Sequence, residues 1–340
     1  MENKEFITSY KFAKISNVIY SGVFLENQIE DLNISDFNVV SKNNGFLYIR
    51  NKKFTLKEND IIFCRTEDIK SLFYILKNNQ LKNIKLITHQ SDLSVTDKHI
   101  NLKPECISSW YSVNVDSSSE ILYPIPIGLS NEHFKNLNSK DFGEPQDEKI
   151  DFFKTSSKNT MMLVNFQKST NLDERGVLYE FFKDKNWVKI DDPDLSKDKY
   201  LQHLKTSQFI LSPHGNGIDT HRMWEALYSG SIPITKYHVT YECLKNLPVL
   251  FVKDYKEINE KLLLEFLEQN NHNNYAYEKM FFQYWKDIIE KDKIISIESF
   301  ELNTNKVIVK LLNFRFLIID KLNSYLKIIK YYLRKIKNIF

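Results

Sequence analysis

The chain has 340 residues, of which 42% are hydrophobic and 27% are charged, a composition that excludes a disordered protein and suits two globular domains. Residues 306–340 carry nine basic residues and one acidic residue, so this tail has a net charge of +8 and the preceding residues a net charge of −5. The three cysteines (Cys64, Cys106 and Cys243) lie far apart, which excludes a disulfide framework or a spaced zinc site and favours a reducing, cytoplasmic compartment.

We expect neither a signal peptide nor a transmembrane helix, because the first residues are polar and no run of about 18 apolar residues occurs. In the first half, the pattern predicts short elements in chain order: a strand at 60–66, a helix at 69–77, a strand at 84–89, and apolar stretches at 106–114 and 121–127. Pro124 and Pro126 place the last stretch at a sheet edge or in an extended connection.

The polar segment 129–160 predicts a boundary, so we expect one domain at 1–150, a second at 151–305 and a basic tail at 306–340. The second domain is expected to alternate regularly, with strands at 161–166, 187–190, 208–212, 231–235 and 249–252 and helices at 174–183, 197–205, 220–229 and 241–246. Such alternation predicts parallel sheets with helices on both faces, which bind ligands at the carboxyl ends of their strands.

One segment concentrates the special backbone geometry of the chain. The sequence has only eight glycines, yet Gly215, Gly217 and Gly230 lie within sixteen residues. The strand at 208–212 runs into a turn in which Asn216 separates two of these glycines, and Asp219 or Thr220 then caps a helix. Glycine lets backbone N–H groups approach an anion, and the positive end of a helix dipole favours it.

Polar side chains of the same segment fit a nucleotide diphosphate. His214, His221 and Arg222 supply hydrogen-bond donors or positive charge, and guanidinium binds phosphate oxygens in a bidentate way. Glu225 lies three residues after Arg222, where its carboxylate can accept hydrogen bonds from ribose hydroxyls. The spacing of His214, Asp219 and His221 matches no recognised metal pattern, so we expect no metal and no cofactor besides the donor substrate. Alternatively, these residues form an ordinary turn and a surface ion pair.

The segment 212–235 resembles the donor-binding segment of exostosin-type glycosyltransferases, including bacterial surface-polysaccharide enzymes. Its continuation Glu-Ala-Leu-Tyr-Ser-Gly-Ser-Ile-Pro-Ile (225–234) is similar to a segment of many GT-B glycosyltransferases in which the glutamate holds the nucleotide ribose. The strong similarity covers about 25 residues, and a weaker one extends over 161–254. The resemblance implies a GT-B-like α/β fold, with two Rossmann-like domains facing a cleft, and a reaction that needs no bound metal. It also implies that the domain at 1–150 lies on the acceptor side and that the domain at 151–305 binds the nucleotide sugar.

Three further residues are candidates for the site. Arg175 follows the first strand of the second domain, where GT-B enzymes often place a basic residue against the donor phosphates; a solvated helix charge is the alternative. Lys168 is a weaker candidate for that role. His89 and Asp92 follow the strand at 84–89, and either can remove a proton from an acceptor hydroxyl; alternatively they cap the next turn.

The tail predicts an amphipathic helix. Leu322, Leu326, Ile329, Leu333 and Ile336 recur at spacings of three and four, with lysine and arginine on much of the remaining circumference. Such helices lie in anionic membrane interfaces, so we expect a cytoplasmic enzyme attached peripherally to the inner face of the membrane. The alternative is a helix that packs on the acidic body or forms an oligomer.

These observations predict a metal-independent glycosyltransferase, a hexosyl- or pentosyltransferase that moves a sugar from a nucleotide diphosphate to a glycan or lipid-linked saccharide for polysaccharide synthesis. No nucleic-acid partner is expected. Two other functions stay open at this stage. One is another group transferase on the same architecture, such as a polysaccharide pyruvyl transferase. The other is a non-catalytic nucleotide-binding module, which would bind nucleotide without turnover.

Overall fold

A computed structural model describes residues 4–32, 46–50, 53–77, 80–132, 136–143, 152–154, 157–270, 274–291 and 299–303, with eight positions of the tail. We call residues 4–143 the N-terminal half and residues 152–303 the C-terminal half. Each half contains one five-stranded parallel sheet. The predicted α/β class with parallel sheets is therefore confirmed.

The N-terminal half contains, in chain order, α1 (Ser9–Lys14), β1 (Val18–Ile19), β2 (Ser21–Phe24), α2 (Glu26–Asp31), β3 (Phe46–Ile49), β4 (Phe54–Lys57), β5 (Ile61–Arg65), α3 (Ile69–Leu76), β6 (Ile84–His89), β7 (Val95–Thr96), α4 (Asp97–Ile100), β8 (Ile107–Ser112), β9 (Val115–Asp116), β10 (Leu122–Pro124) and α5 (Ser139–Phe142). Its parallel sheet has the order β1-β5-β6-β8-β10. Every residue of the central strand β6 is buried, as expected for a strand covered on both faces. Pro124 lies in the edge strand β10, as its ring requires.

The C-terminal half contains β11 (Thr160–Val164), α6 (Val177–Phe182), β12 (Val188–Ile190), α7 (Lys197–Thr206), β13 (Ser207–Leu211), α8 (His221–Tyr228), β14 (Ile232–Lys236), β15 (Leu250–Val252), α9 (Glu260–Asn270), α10 (Phe282–Glu290) and β16 (Ser299–Leu302). Its sheet has the order β12-β11-β13-β14-β15. Most elements predicted here agree with the structure within two residues. The predicted helix at 174–183 instead begins with a π-helical turn, Leu172–Gly176, and the one at 241–246 is a 3₁₀ helix, Val239–Leu244.

The end of the C-terminal half returns to the N-terminal half. Strand β16 pairs antiparallel with β4, and the buried Lys85 ammonium donates to the carbonyl of Ile289 at 2.7 Å. One hydrophobic cluster also contains side chains from both halves, among them Phe12, Phe63 and Trp224. The predicted boundary near residue 150 stays a prediction, and the packing shows that the two halves share a core.

The two parallel sheets contact each other at their carboxyl ends. Asn114 follows β8, and its side-chain oxygen accepts hydrogen bonds from the backbone N–H groups of Ile218 and Asp219 at 2.9 and 2.8 Å. Its side-chain nitrogen donates to the carbonyl of Ser91 at 2.8 Å. The Asp219 carboxylate in turn accepts from the backbone N–H of Ile127 at 2.8 Å. These buried bonds join the loops after β6, β8 and β10 to the loop after β13.

The tail is described only at positions Val307, Leu311, Phe314, Ile318, Leu322, Tyr325, Leu326 and Ile329. These positions are helical and exposed, with Leu322 at 55% and Leu326 at 51% of their maximal exposure. The predicted positions Leu333 and Ile336 and the basic residues of the tail lie outside the described residues. Among the described residues, none forms a helix long and apolar enough to cross a membrane.

We expect Asn114→Ala to lower the free energy of unfolding by about 2–4 kcal/mol, because two buried N–H groups and one buried carbonyl lose their partner. Asn114 also has a φ of 52°, which a Cβ-bearing residue other than asparagine adopts at a cost. Asn114→Gly removes the same hydrogen bonds without that cost, so it should be roughly 1 kcal/mol less destabilising than alanine. Urea unfolding measures both; equal stability of the wild type and Asn114→Ala would contradict the bridging role.

Candidate functional site

The strand, turn, helix and strand predicted around residues 208–235 are confirmed. The turn begins after the buried strand β13, helix α8 begins at His221, and Gly230 follows the helix with a φ of 69° before β14. This positive φ is the left-handed conformation that ends helices and that glycine adopts without strain. Thr220 is the N-cap residue of α8, but its side chain makes no capping hydrogen bond.

Gly215 and Gly217 have a packing role in the turn. A Cβ added to Gly215 would lie 3.0 Å from the Arg175 guanidinium, and one added to Gly217 would lie 2.8 Å from the Asn114 amide. Because neither glycine has a side chain, Arg175 can approach the turn at Gly215 and Asn114 can approach it at Gly217. Between them, Asn216 is exposed at the tip.

Arg175 donates hydrogen bonds to the backbone of the turn. Its Nε donates to the carbonyl of His214 at 2.9 Å, and its Nη2 donates to the carbonyl of Pro213 at 2.9 Å. Its Nη1 donates to the Thr170 hydroxyl at 2.6 Å and to the carbonyl of Gln167 at 3.3 Å. Burial lowers the pKa of Arg175 to about 10, so the group stays charged at neutral pH. The Arg175 guanidinium lies beside the glycine turn, and most of its N–H groups donate to protein oxygens. Its contact with donor phosphates stays a prediction.

Arg222 and Glu225 are joined through a tyrosine that the sequence reasoning did not include. Arg222 Nη1 donates to the Tyr200 hydroxyl at 2.8 Å, and that hydroxyl donates to Glu225 Oε2 at 2.9 Å. Glu225 is 3% exposed, and burial raises the pKa of its carboxyl. Arg222 is only half-buried, and its Nε has no hydrogen-bond partner. Arg222 is therefore the more accessible member of this group, and Glu225 contacts it through Tyr200. The predicted contact of Glu225 with a ribose stays a prediction.

Asp219 and His221 bind the N-terminal half. Besides the N–H of Ile127, Asp219 accepts a hydrogen bond from the indole N–H of Trp224 at 3.3 Å, and burial raises the pKa of Asp219 to about 6. His221 Nδ1 donates to the carbonyl of Gly128 at 2.8 Å. Their donor-binding roles stay a prediction, since both side chains are engaged in joining the two sheets.

Three more polar residues lie at the carboxyl ends of the neighbouring strands. Lys236 ends β14, and its ammonium lies 3.3 Å from the Glu174 carboxylate in the π-helical turn. The rings of His214 and His238 lie 6.2 Å apart between centroids. Burial lowers the pKa of His214, which favours its neutral form. Arg175, Arg222 and Lys236 thus surround the turn with positive charge.

Buried polar atoms without a partner mark the same place. Among the described residues, His214 Nε2, Thr220 Oγ1, Arg222 Nε and Glu174 Oε1 are buried and lack a hydrogen bond. Buried polar groups in folded proteins are nearly always satisfied, and groups that are not need an explanation. Four such atoms around one glycine turn, at the carboxyl end of a parallel sheet, are typical of a ligand site.

His89 and Asp92 differ in accessibility. His89 is 1% exposed; its Nε2 donates to the carbonyl of Pro126 at 3.2 Å and its Nδ1 accepts from the N–H of Gln90 at 2.8 Å. Burial lowers the pKa of His89 to about 3. Both ring nitrogens are occupied, so the geometry gives His89 no free atom for an acceptor proton. Asp92 is exposed. The catalytic role of either residue stays a prediction.

No group of three or more His, Cys, Asp or Glu side chains within the described ranges is placed to hold a metal ion. The expectation of a metal-independent site stays a prediction, because it concerns the bound donor.

Comparison with known proteins gives a family match for part of the chain and a weak similarity to a solved structure. Residues 149–299 match the family described as RXYLT1 C-terminal domain, which covers the C-terminal half with its glycine turn. Among solved structures, the chain is similar to an α1,3-fucosyltransferase at 12% identity, over 68% of this chain and 78% of that chain, with a TM-score of 0.34. A similarity of this size does not define an overall fold. No curated protein matches the chain.

The pKa of His89 predicts how stability depends on pH. The ordinary histidine pKa is about 6.5, so below that pH His89 is protonated in the unfolded chain. In the folded protein His89 stays neutral until about pH 3. The free energy of unfolding should therefore fall as pH decreases from 6.5, by up to about 1.4 kcal/mol per pH unit. His89→Gln cannot titrate and should show a weaker dependence. Urea unfolding from pH 7 to pH 4.5 measures the difference; parallel curves would contradict a buried neutral imidazole.

Proposed function

We propose that the chain is a glycosyltransferase that binds a nucleotide-diphosphate sugar at the glycine turn of the C-terminal half and transfers the sugar to a saccharide acceptor. The observation that carries this proposal is the set of unpartnered polar atoms of His214, Thr220 and Arg222, next to three cationic side chains. The family match of residues 149–299 supports the reaction class.

The charge of the site fits a diphosphate. Arg222 and Lys236 are partly exposed, while the buried Arg175 adds a fixed positive charge beneath the backbone of the turn. A diphosphate leaving group gains negative charge as the bond from its oxygen to the sugar breaks, and preorganised cations stabilise that charge. We therefore propose that these side chains supply the stabilisation and that donor binding requires no metal ion.

The acceptor side is proposed at the carboxyl edge of the N-terminal sheet. Asn114 and Asp219 hold that edge against the glycine turn, so an acceptor bound between the edges would meet the donor sugar. We propose that this arrangement corresponds to the GT-B-like organisation that the resemblance implied, with a ligand space between two α/β halves.

We further propose that the tail binds an anionic membrane surface, where lipid-linked acceptors reside. The described apolar positions of the tail are exposed on a helix, and the same 35 residues include nine basic ones. Each basic residue near an anionic leaflet contributes about 1 kcal/mol. The acidic body of the chain does not share this charge, so the tail alone favours such a surface.

Arg222→Ala should weaken the binding of uridine or guanosine diphosphate by about tenfold to a hundredfold, because it removes a charge-assisted hydrogen bond. Isothermal titration in the presence of a chelator measures the affinity and tests metal independence at once. Lys199→Ala removes an exposed positive charge of α7 next to Tyr200 and should keep the wild-type affinity. Wild-type affinity in Arg222→Ala, or binding only after manganese is added, would count against the proposed site.

Leu326→Asp should reduce binding to vesicles of mixed phosphatidylcholine and phosphatidylserine at least about tenfold, because it places a charge on the apolar side of the tail. Leu264→Asp is the matched control, since Leu264 on α9 is 48% exposed against 51% for Leu326. Co-sedimentation at low salt measures both variants. If the wild-type protein stays in the supernatant, the tail has another role.

A further inference from the structure

A second cluster of buried polar side chains lies at the carboxyl end of β5. Arg65 ends this strand, and a 3₁₀ turn, Thr66–Asp68, follows directly. The Arg65 guanidinium lies 3.4 Å from the Glu67 carboxylate and 3.8 Å from the Asp68 carboxylate. Strand β5 pairs with β6 in the middle of the N-terminal sheet, so the cluster lies at the edge that faces the glycine turn.

The cluster is buried but incompletely satisfied. Thr66 and Asp68 are 1% and 4% exposed. Nevertheless Thr66 Oγ1, Asp68 Oδ2, Arg65 Nε and Glu67 Oε2 have no hydrogen-bond partner. Burying charged and polar groups costs free energy unless hydrogen bonds compensate for lost water. Two of these atoms, Glu67 Oε2 and Asp68 Oδ2, face Arg65 in the ion pairs. Thr66 Oγ1 and Arg65 Nε remain as buried polar atoms that a hydroxyl-bearing ligand can satisfy.

A short chain of contacts connects this cluster to the glycine turn. Ser91, in the loop after β6, lies close enough to Glu67 for its hydroxyl to lower the pKa of that carboxyl. The carbonyl of Ser91 accepts from Asn114, and Asn114 holds the backbone of Ile218 at the glycine turn. Only two residues, Ser91 and Asn114, therefore separate Glu67 from the turn.

The loop that contacts Glu67 is strained. Gln90 has a φ of 56°, a left-handed value that is costly for a residue with a long side chain. Its side-chain amide is held by the backbone of Val23, whose N–H donates to it and whose carbonyl accepts from it. Such strain persists where the surroundings impose it, and it clusters at functional sites. Here it places Ser91 against Glu67.

We propose that Glu67 is the catalytic base that takes the proton from the acceptor hydroxyl, and that Arg65 and Asp68 hold it in position. The inference rests on the proposed function. In the step, the acceptor O–H bond breaks and its proton moves to the Glu67 carboxylate, while the acceptor oxygen bonds to the anomeric carbon. The bond from that carbon to the diphosphate oxygen breaks, and the nucleoside diphosphate leaves with the electron pair.

The electrostatics suit this role. Burial raises the pKa of Glu67, while the charge of Arg65 opposes the shift and favours the ionised carboxylate. The charged and titratable groups that face Glu67 are Arg65 and Cys64 from β5 and Asp68 from the same turn. Because the base must be ionised, kcat should fall as pH decreases through the raised pKa of Glu67.

The test compares Glu67→Gln with the wild type in full-length protein. Glu67→Gln should lower kcat by about a hundredfold or more, with the donor Kd within roughly twofold, and should abolish the acidic limb of the pH–rate profile. Glu67→Asp should restore part of kcat. Glu105→Gln, an exposed carboxylate just before β8, is the matched control and should behave as the wild type.

Ser91→Ala keeps the inference testable if Glu67→Gln does not fold. It removes the hydroxyl that lowers the pKa of Glu67, so the acidic limb should move to higher pH while donor binding persists. Wild-type kcat in folded Glu67→Gln, or an unchanged acidic limb in Ser91→Ala, would overturn the assignment. If the wild type binds no donor and transfers no sugar, the proposed function fails instead, whatever these variants do.

Discussion

One side-chain amide joins the two parallel sheets at the place where both present their carboxyl ends. Asn114 accepts from two N–H groups of the glycine turn and donates to the loop after β6, all within 2.9 Å. Its φ of 52° and the absence of a side chain at Gly217 allow this approach. Together with the bonds from Asp219 to Ile127 and from His221 to Gly128, this contact holds the two edges against each other, and the proposed donor and acceptor positions depend on it.

Hydrogen bonds within the protein also position the charged side chains of the candidate site. Positive charge is fixed by protein oxygens before a ligand arrives: Arg175 binds the carbonyls of Pro213 and His214, and Arg222 is held by Tyr200. Groups held in this way need little reorganisation when charge develops on a leaving diphosphate. His89 differs from these cations, because burial keeps it neutral in the core. Glu67 is a partly exposed carboxylate next to the unpartnered Thr66 Oγ1 and Arg65 Nε, which is why we propose it as the base.

Local patterns predicted much of the fold, and contacts between distant residues account for what they missed. The strand, turn and helix around Gly215 and Gly230 were predictable because apolar runs and glycines determine them locally. The bond between Asp219 and Ile127 spans 92 residues, so no pattern along the chain indicated that this carboxylate binds the other half. Likewise, strand β4 pairs with β16 across the whole chain, and short edge strands of this kind have little periodicity of their own.

Hydrogen–deuterium exchange with and without a nucleoside diphosphate tests the central claim most directly, because it locates the bound ligand without assuming which sugar or acceptor is used. The account predicts protection of amides in the glycine turn at 213–222, where Arg222 lies, and in the segment at 167–176, which contains the π-helical turn and Arg175. Asn114 and its neighbours should change less, since that contact is already formed. Protection confined to other segments, or no protection at saturating nucleotide, would contradict a donor site at this turn.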